Sequence, residues 1–198
     1  MAFTLAIGAE APDFDLPGAD GRNYGLADFA KAKALVVFFT CNHCPFVVGS
    51  EGRIGALHDE FHPRGVDWVG INSNETVNHP TDSLEHMKVR LREAGIRYPY
   101  LRDDSQEAAR AYGALRTPHF FVFDARRRLR YTGRLDDSPR QADQATTHEL
   151  RDALEAILAG RPVAVPLTNP IGCNVKWMGQ PEHWMPPEAC DLVQRPVS

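Results

Sequence analysis

Residues 34–45 have the sequence Ala-Leu-Val-Val-Phe-Phe-Thr-Cys-Asn-His-Cys-Pro, in which six apolar residues lead into two cysteines. A continuous apolar run of this length, without polar alternation, is typical of a strand that is buried on both faces of a sheet. From 46 to 61 the apolar residues recur closer to a helical period than to alternation. The stretch therefore predicts a strand, a turn and a helix, with Cys41 and Cys44 at the junction.

Further predicted elements extend this unit in both directions. Before it, Asp20-Gly21 predicts the turn of an N-terminal hairpin. After it, we predict strands at 66–72, 98–101, 119–124 and 129–133, and helices at 83–94, 105–112 and from Ser138-Pro139 to Gly160. A capping box of Asp82 and Glu85 is predicted at the start of the second helix. This order predicts an α/β fold with a mixed sheet and helices on both of its faces.

The composition indicates one ordinary globular domain with additional chain. Of the 198 residues, 43% are hydrophobic and 24% charged, which excludes a disordered or fibrous protein. The composition changes after Gly160, since seven of the 15 prolines fall in the last part of the chain. We therefore predict one folded domain at 1–160 and an irregular, proline-rich extension at 161–198 that packs on the domain or on a neighbour.

Charge and hydropathy make several classes of partner improbable. Lys and Arg number 22 against 26 Asp and Glu, so no basic field exists to hold nucleic acid or a membrane surface. The apolar run at 34–39 is about a third of the length that a membrane span needs. The N-terminal residues lack the pattern of a secretory signal. We expect a soluble, cytoplasmic protein without nucleic-acid or membrane partners.

The cysteine spacing C-x-x-C at a helix start predicts redox chemistry. The thiolate is the reactive form of cysteine, and the N-terminal end of a helix stabilises that anion. We predict Cys41 as the exposed nucleophile, and Cys44, one turn into the helix, as the buried resolving thiol. A cationic His43 would stabilise the Cys41 thiolate, and Thr40 and Asn42 complete the loop that adjusts the site.

The chain resembles the thioredoxin-like superfamily, and within it the branch of peroxiredoxin-like (AhpC/TSA) and TlpA/ResA-type thiol-disulfide oxidoreductases. The matching stretches, in order along the chain, are 8–16, 20–21, 26–29, 36–39, 41–45, 112–118 and 121–124. The resemblance implies a three-layer α/β/α sandwich with a mixed central sheet, an N-terminal hairpin and, here, an irregular C-terminal extension. It also implies that Pro118 follows a cis peptide bond and that the main chain of Thr117 pairs with a bound substrate chain.

Two positions depart from the family patterns. Thr40 stands where thioredoxins have a tryptophan before the first cysteine. Peroxiredoxins have a threonine three residues before the peroxidatic cysteine, and here that residue is Phe38. The hydroxyl group that would hold a peroxide is therefore missing from its family position.

The main functional prediction is a thiol-disulfide oxidoreductase that uses Cys41 and Cys44 without a cofactor. Its substrate would be a protein or small-molecule disulfide or thiol, with an upstream reductant that the sequence does not identify. One alternative is a thiol peroxidase in which a hydroperoxide oxidises Cys41 and Cys44 closes the disulfide. Another is a metallochaperone that binds copper or zinc through the two cysteines and a histidine such as His119.

The remaining two cysteines lie in the extension. Cys173 follows a glycine in the proline-rich segment, where it is either a third, resolving thiol or a small apolar residue that anchors the segment. Cys190 is predicted to have no role in the chemistry.

Overall fold

The apolar run at 34–39 forms the central strand of the protein's main sheet. The computed structural model describes residues 3–189 and 192. Its strands are β1 (Asp15–Pro17), β2 (Asn23–Gly25), β3 (Ala34–Phe39), β4 (Val66–Asn72), β5 (Tyr100–Arg102), β6 (Arg116–Thr117), β7 (His119–Asp124), β8 (Leu129–Gly133) and β9 (Cys173–Asn174), and its α-helices are α1 (Pro45–Phe61), α2 (Leu84–Glu93), α3 (Glu107–Tyr112) and α4 (Glu149–Leu158). The main sheet has the order β5-β4-β3-β7-β8. β3, β4 and β5 are parallel, whereas β7 is antiparallel to both β3 and β8.

Side chains of β3 alternate between two separate cores. Leu35 and Val37 belong to a cluster that α3 and the N-terminal hairpin cover. Val36 and Phe38 belong to a second cluster on the opposite face, which α1 and α4 cover. A strand of period two that is buried on both faces must be apolar at every position, and this explains the uninterrupted run. The predicted thioredoxin-like, three-layer α/β/α arrangement is confirmed.

The N-terminal hairpin also forms as predicted. β1 and β2 are antiparallel, with Leu16 opposite Tyr24. Gly21 lies in the turn with a φ of +88°, a left-handed conformation that glycine adopts without steric cost. The hairpin then packs Tyr24 against the core beside α3.

The predicted start of the last helix is wrong. α4 begins at Glu149 rather than at Ser138-Pro139. In the intervening loop the Asp137 carboxylate accepts hydrogen bonds from the main-chain N–H groups of Thr146 and Thr147. Short polar side chains that bond to nearby backbone compete with helix formation, and here they hold the segment in a loop.

The predicted capping box at the second helix is also wrong. The N-cap of α2 is Ser83, without a side-chain capping bond. Asp82 lies in a preceding 3-10 turn, Pro80–Asp82, and is fully buried. Its carboxylate turns toward the cysteine loop instead of the helix, as described below.

The described part of the C-terminal segment is irregular, and several contacts along its length attach it to the domain. Thr168 donates its main-chain N–H to Thr132 O at the edge of β8. β9 pairs with β6. Trp177 is 2% exposed and packs edge-on against the ring of Phe3 in the core cluster next to α3. Cys190 lies outside the described residues.

Among the described residues, no helix has both the length and the apolar content that crossing a lipid bilayer requires.

Candidate functional site

The C-x-x-C loop connects the end of β3 to the first turn of α1. The buried Thr40 donates its N–H to Ile71 O at 2.9 Å, so the pairing of β3 with β4 continues up to the loop. Cys44 is the N-cap of α1 and Pro45 occupies the first helical turn. The prediction that Cys44 lies one turn inside the helix is therefore wrong, and it is Cys44 rather than Cys41 that sits at the helix terminus. Proline cannot continue an N–H ladder and is tolerated in the first turn, which sets the start of the helix at this residue.

The Thr117–Pro118 segment faces both sulfur atoms, as the family resemblance implies. The peptide bond between these two residues is cis. Thr117 Oγ1 lies 3.4 Å from Cys41 Sγ, within hydrogen-bonding distance. Cys44 Sγ lies 3.3 Å from Thr117 O. The hydroxyl group that contacts Cys41 thus comes from Thr117, across the site.

The extension brings a third cysteine to the pair. β9 lies antiparallel to β6, with Cys173 directly opposite Thr117. Its side chain packs against the small cluster of Cys41, Cys44 and Val47. Three thiols, all reduced in this structure, therefore meet around one threonine.

Neither member of the C-x-x-C pair is exposed. Cys41 is 2% and Cys44 0% exposed, so the prediction of an exposed Cys41 is wrong for the reduced protein. The two cysteines are buried by the tertiary structure, because the strand that carries Cys173 packs against their loop.

The pKa values of Cys44 and Cys41 are shifted in opposite directions, and the shifts favour a negative charge on Cys44. The pKa of Cys44 is lowered to about 4, first by the hydrogen bond from the Cys41 thiol and then by the side chain and main-chain N–H of Cys173. Burial raises the pKa of Cys41 well above its ordinary value, and the hydrogen bond to Cys44 raises it further. Both directions oppose the predicted thiolate at Cys41 in the reduced protein, because burial disfavours the charged form of that sulfur.

The pKa of Cys173 is raised, as is that of Cys41. Burial and its hydrogen bond to Cys44 raise the pKa of Cys173 to about 11. Two thiols that donate to one thiolate stabilise a single shared charge, since the second and third ionisations would place like charges in contact.

Asp82 is a site residue that the sequence does not reveal. Its buried carboxylate accepts hydrogen bonds from Asn42 N at 2.7 Å and Asn74 Nδ2 at 2.8 Å. It also lies 2.8 Å from His43 Nδ1. Burial raises the pKa of Asp82, but the bonds from His43 and Asn42 outweigh that effect and lower it. Asp82 lies far from the motif in sequence, and its only local signal is a helix-capping pattern.

His43 and Asn42 are both held by this network. The hydrogen bond to Asp82 raises the pKa of His43, which favours the imidazolium ion beside the sulfur cluster. The ring also stacks on His79, with centroids 5.1 Å apart. Asn42 donates to Thr81 O at 2.7 Å and accepts from the Tyr100 hydroxyl at 2.8 Å, so its side chain holds the loop in place.

The structure changes which residues could hold a metal ion. His119, the histidine of the predicted metal set, is fully buried, and its ring nitrogens contact Leu115 N and Thr132 Oγ1. Burial lowers its pKa to about 3. His119 is therefore a core residue without a free nitrogen, and its place in that set is wrong.

A different group of donors, Cys41, His43 and Asp82, has its ligand atoms within 4.8 Å of one another. His43 Nδ1 and the Asp82 carboxylate already contact each other at 2.8 Å, so an ion would have to replace that bond.

The sheet, the dithiol loop and the cis-proline loop that faces it define a thioredoxin-fold protein. The chain belongs to the AhpC/TSA family, whose model matches residues 7–132. A solved structure of an uncharacterised conserved protein from Geobacillus kaustophilus is 40% identical with a TM-score of 0.85, covering 91% of this chain and 96% of that one. Peroxidoxin BcpB from Mycobacterium tuberculosis, at 21% identity and a TM-score of 0.59 over 78% of this chain and 97% of its own, shares the fold.

Two named relatives fall into two functional groups. A Mycobacterium tuberculosis protein named as a candidate peroxiredoxin is 30% identical over 111 residues, which are 56% of this chain and 65% of that protein. The thiol-disulfide oxidoreductase ResA of Geobacillus thermodenitrificans is 26% identical over 120 residues, 61% of this chain and 64% of that protein. The chain thus spans slightly less than two thirds of the length of these relatives. Redox enzymes of both kinds occur in the family.

Proposed function

We propose that the protein is a thiol-disulfide oxidoreductase whose redox pair is Cys41 and Cys44. The observation that carries this proposal is the placement of both sulfurs against Thr117, one at 3.4 Å from its hydroxyl and one at 3.3 Å from its carbonyl oxygen. The relationship to ResA supports it. The substrate would be a disulfide, and the electrons would come from the two sulfurs themselves.

The first proton transfer takes place along the hydrogen bond between Cys41 and Cys44. Cys41 passes its proton to the Cys44 thiolate and becomes the nucleophile. Its thiolate attacks one sulfur of the substrate disulfide, which forms a mixed disulfide and releases the first substrate thiolate. Cys44 then attacks the Cys41 sulfur, the mixed disulfide breaks, and the second substrate thiolate leaves. The proton from Cys44 and one from solvent complete two substrate thiols, while the protein retains the Cys41–Cys44 disulfide.

A thiol peroxidase is the second candidate, and two observations favour it. One relative, at 30% identity, is named as a candidate peroxiredoxin. The Thr117 hydroxyl also contacts Cys41, although the family position for such a hydroxyl is occupied by Phe38. In this reaction the Cys41 thiolate attacks the peroxide O–O bond, which gives an alcohol or water and the sulfenic acid. Cys44 then displaces hydroxide from that sulfur and forms the same disulfide.

One comparison separates the two functions. The reduced, metal-free protein is given oxidised insulin or hydrogen peroxide in parallel, as wild type, Cys41→Ser and Cys44→Ser. Insulin reduction that requires both cysteines, with slow peroxide consumption, is the expected result. Rapid peroxide consumption that requires Cys41, with little insulin reduction, would replace the first proposal by the second. If neither substrate reacts, both proposals are wrong and the metal set should be tested.

A further inference from the structure

We infer that Cys173 is a third redox-active thiol of the site, which forms a disulfide with Cys44. The inference rests on the proposed function, because it extends the same thiol chemistry to a residue of the extension. It assigns the covering strand a chemical role in addition to its structural one.

The strand pairing brings Cys173 to the residue that contacts both other sulfurs. Cys173 is directly opposite Thr117 in the antiparallel β6–β9 pair. Residues opposite each other in such a pair have their Cβ atoms about 4.5–5.5 Å apart. Cys44 Sγ lies 3.3 Å from Thr117 O, and Cys173 packs in the same cluster as Cys44. The packing of Cys173 in this cluster therefore places it against Cys44, the cysteine with which it would form a disulfide.

The strand is held in this register by several contacts. Arg116 Nη1 donates to Gly172 O at 3.2 Å and to Asn174 Oδ1 at 2.9 Å. Val175 donates its N–H to Leu115 O at 3.2 Å. A Cβ atom at Gly172 would lie 2.1 Å from Thr117 O, so only glycine allows the strand to approach this closely.

A purely anchoring role does not explain Cys173. The segment is anchored by Val175 and Trp177, which are 1% and 2% exposed. Cys173 itself is only partly buried, and its neighbour is the ionised sulfur of the site. A small apolar residue would serve as an anchor without donating to Cys44, whereas a thiol is required for exchange.

Formation of the Cys44–Cys173 disulfide by exchange needs no added oxidant. Starting from the Cys41–Cys44 disulfide, the Cys173 thiolate attacks Cys44 Sγ. The Cys44–Cys173 bond forms, the Cys41–Cys44 bond breaks, and the proton lost by Cys173 is taken up by Cys41. The protein remains oxidised by two electrons, with Cys41 free to react again.

Disulfide mapping of the native protein tests this inference. The background variant Cys190→Ser leaves three thiols, which are oxidised with diamide, alkylated in acid and mapped by mass spectrometry. We expect both Cys41–Cys44 and Cys44–Cys173 linkages in the background protein. In Cys41→Ser we expect the Cys44–Cys173 disulfide as the main product. In the double variant Cys41→Ser, Gly172→Ala we expect this disulfide to form at least about tenfold more slowly, because its formation depends on how the two thiols are positioned.

The outcomes distinguish this inference from the proposed function. A Cys41–Cys44 linkage in the background protein, together with unlinked Cys44 and Cys173 in Cys41→Ser, overturns the role of Cys173 and leaves the oxidoreductase proposal intact. Absence of any internal disulfide in the background protein overturns both. Equal rates of Cys44–Cys173 formation with glycine or alanine at 172 would show a random encounter of thiols and also overturn the inference.

Discussion

One negative charge is shared by three sulfur atoms, and their hydrogen bonds decide which sulfur carries it. Cys44 receives donors from both sides, whereas Cys41 and Cys173 act as donors. A helix N-terminus alone would favour an anion at Cys44 as well, since Cys44 is the N-cap. Under the proposed function, the nucleophile is therefore generated by a proton transfer from Cys41 to Cys44.

The thiolate absorbance of the reduced protein is expected to depend on Cys44. In wild type the absorbance near 240 nm should appear as the pH rises through about 4, the value to which the pKa of Cys44 is lowered. Cys44→Ser should abolish that step. Cys41→Ser should move it to higher pH, because the largest stabilising hydrogen bond is lost, and Cys173→Ser should move it less. A low-pH step that persists in Cys44→Ser would assign the charge to another sulfur.

The His43–Asp82 contact is expected to stabilise the fold over a limited pH window. The pKa of Asp82 is lowered from 3.8, so its contribution is present above that value and is lost as the pH falls through the lowered pKa. The pKa of His43 is raised from 6.5, so its contribution is complete below 6.5 and is lost as the pH rises through the raised pKa. The full contribution thus lies between about pH 4 and 6.5.

Urea unfolding at several pH values measures this effect. Asp82→Asn should lower the free energy of unfolding by about 1–3 kcal/mol, mostly inside that window, since a buried charge-assisted bond is lost. His43 in the variant should titrate at lower pH by NMR. An equal loss of stability at pH 3, 5 and 9 would contradict the assignment.

The β6–β9 pair links the extension to the cis-proline segment and has only two residues on each strand. Its formation depends on Gly172, where any side chain would collide with the Thr117 carbonyl group. The same pairing occupies the edge of β6, so an extended substrate segment cannot pair with Thr117 while β9 is in place. We therefore expect that an extended substrate segment pairs with Thr117 only after β9 is displaced.

Gly172→Ala is expected to loosen this cover without removing any thiol. Alkylation of Cys44 by iodoacetamide at pH 7 should accelerate by about tenfold or more, because the thiolate is already present and only access limits the reaction. Gly52→Ala is the matched control, since a Cβ atom there meets no atom within 4 Å. Alkylation at the wild-type rate in Gly172→Ala would mean that β9 does not control access.

The extension is part of the folded domain and not an appendage. Trp177 is buried in the core cluster beside α3, where it contacts Phe3 and Trp184 and lies under the Arg110 guanidinium group. A core that includes residues from both ends of the chain unfolds as one unit. The position of Cys173 then depends on the stability of the whole domain.

Trp177→Ala is expected to lower the free energy of unfolding by about 3–5 kcal/mol, the usual cost of removing a buried tryptophan. Met178→Ala, the change of a neighbouring residue that is 58% exposed, should alter it by less than about 0.5 kcal/mol. Urea denaturation followed by circular dichroism compares the two. If Trp177→Ala unfolds at the wild-type urea concentration while its extension becomes sensitive to protease, the extension is a separable segment.

Local patterns in the sequence were sufficient for the fold and for the location of the redox pair. The run at 34–39 could only be a doubly buried strand, and the cysteines followed it by direct connection, so their place at a strand–helix junction needed no distant contact. The cis peptide bond before Pro118 was predicted from the family resemblance. These features depend on neighbours in the chain, which a sequence displays.

The burial, the pKa and the hydrogen-bond partners of each site residue were decided by tertiary structure. Cys41, predicted to be exposed and ionised, is instead buried and has a raised pKa, because Thr117 and the strand that carries Cys173 pack against the cysteine loop. Asp82, predicted as a helix cap, became the carboxylate that holds Asn42 and His43. Burial and hydrogen bonding depend on atoms that are close in space but distant in sequence, so the sequence determined where the chemistry is and the folded structure determined which sulfur carries the charge.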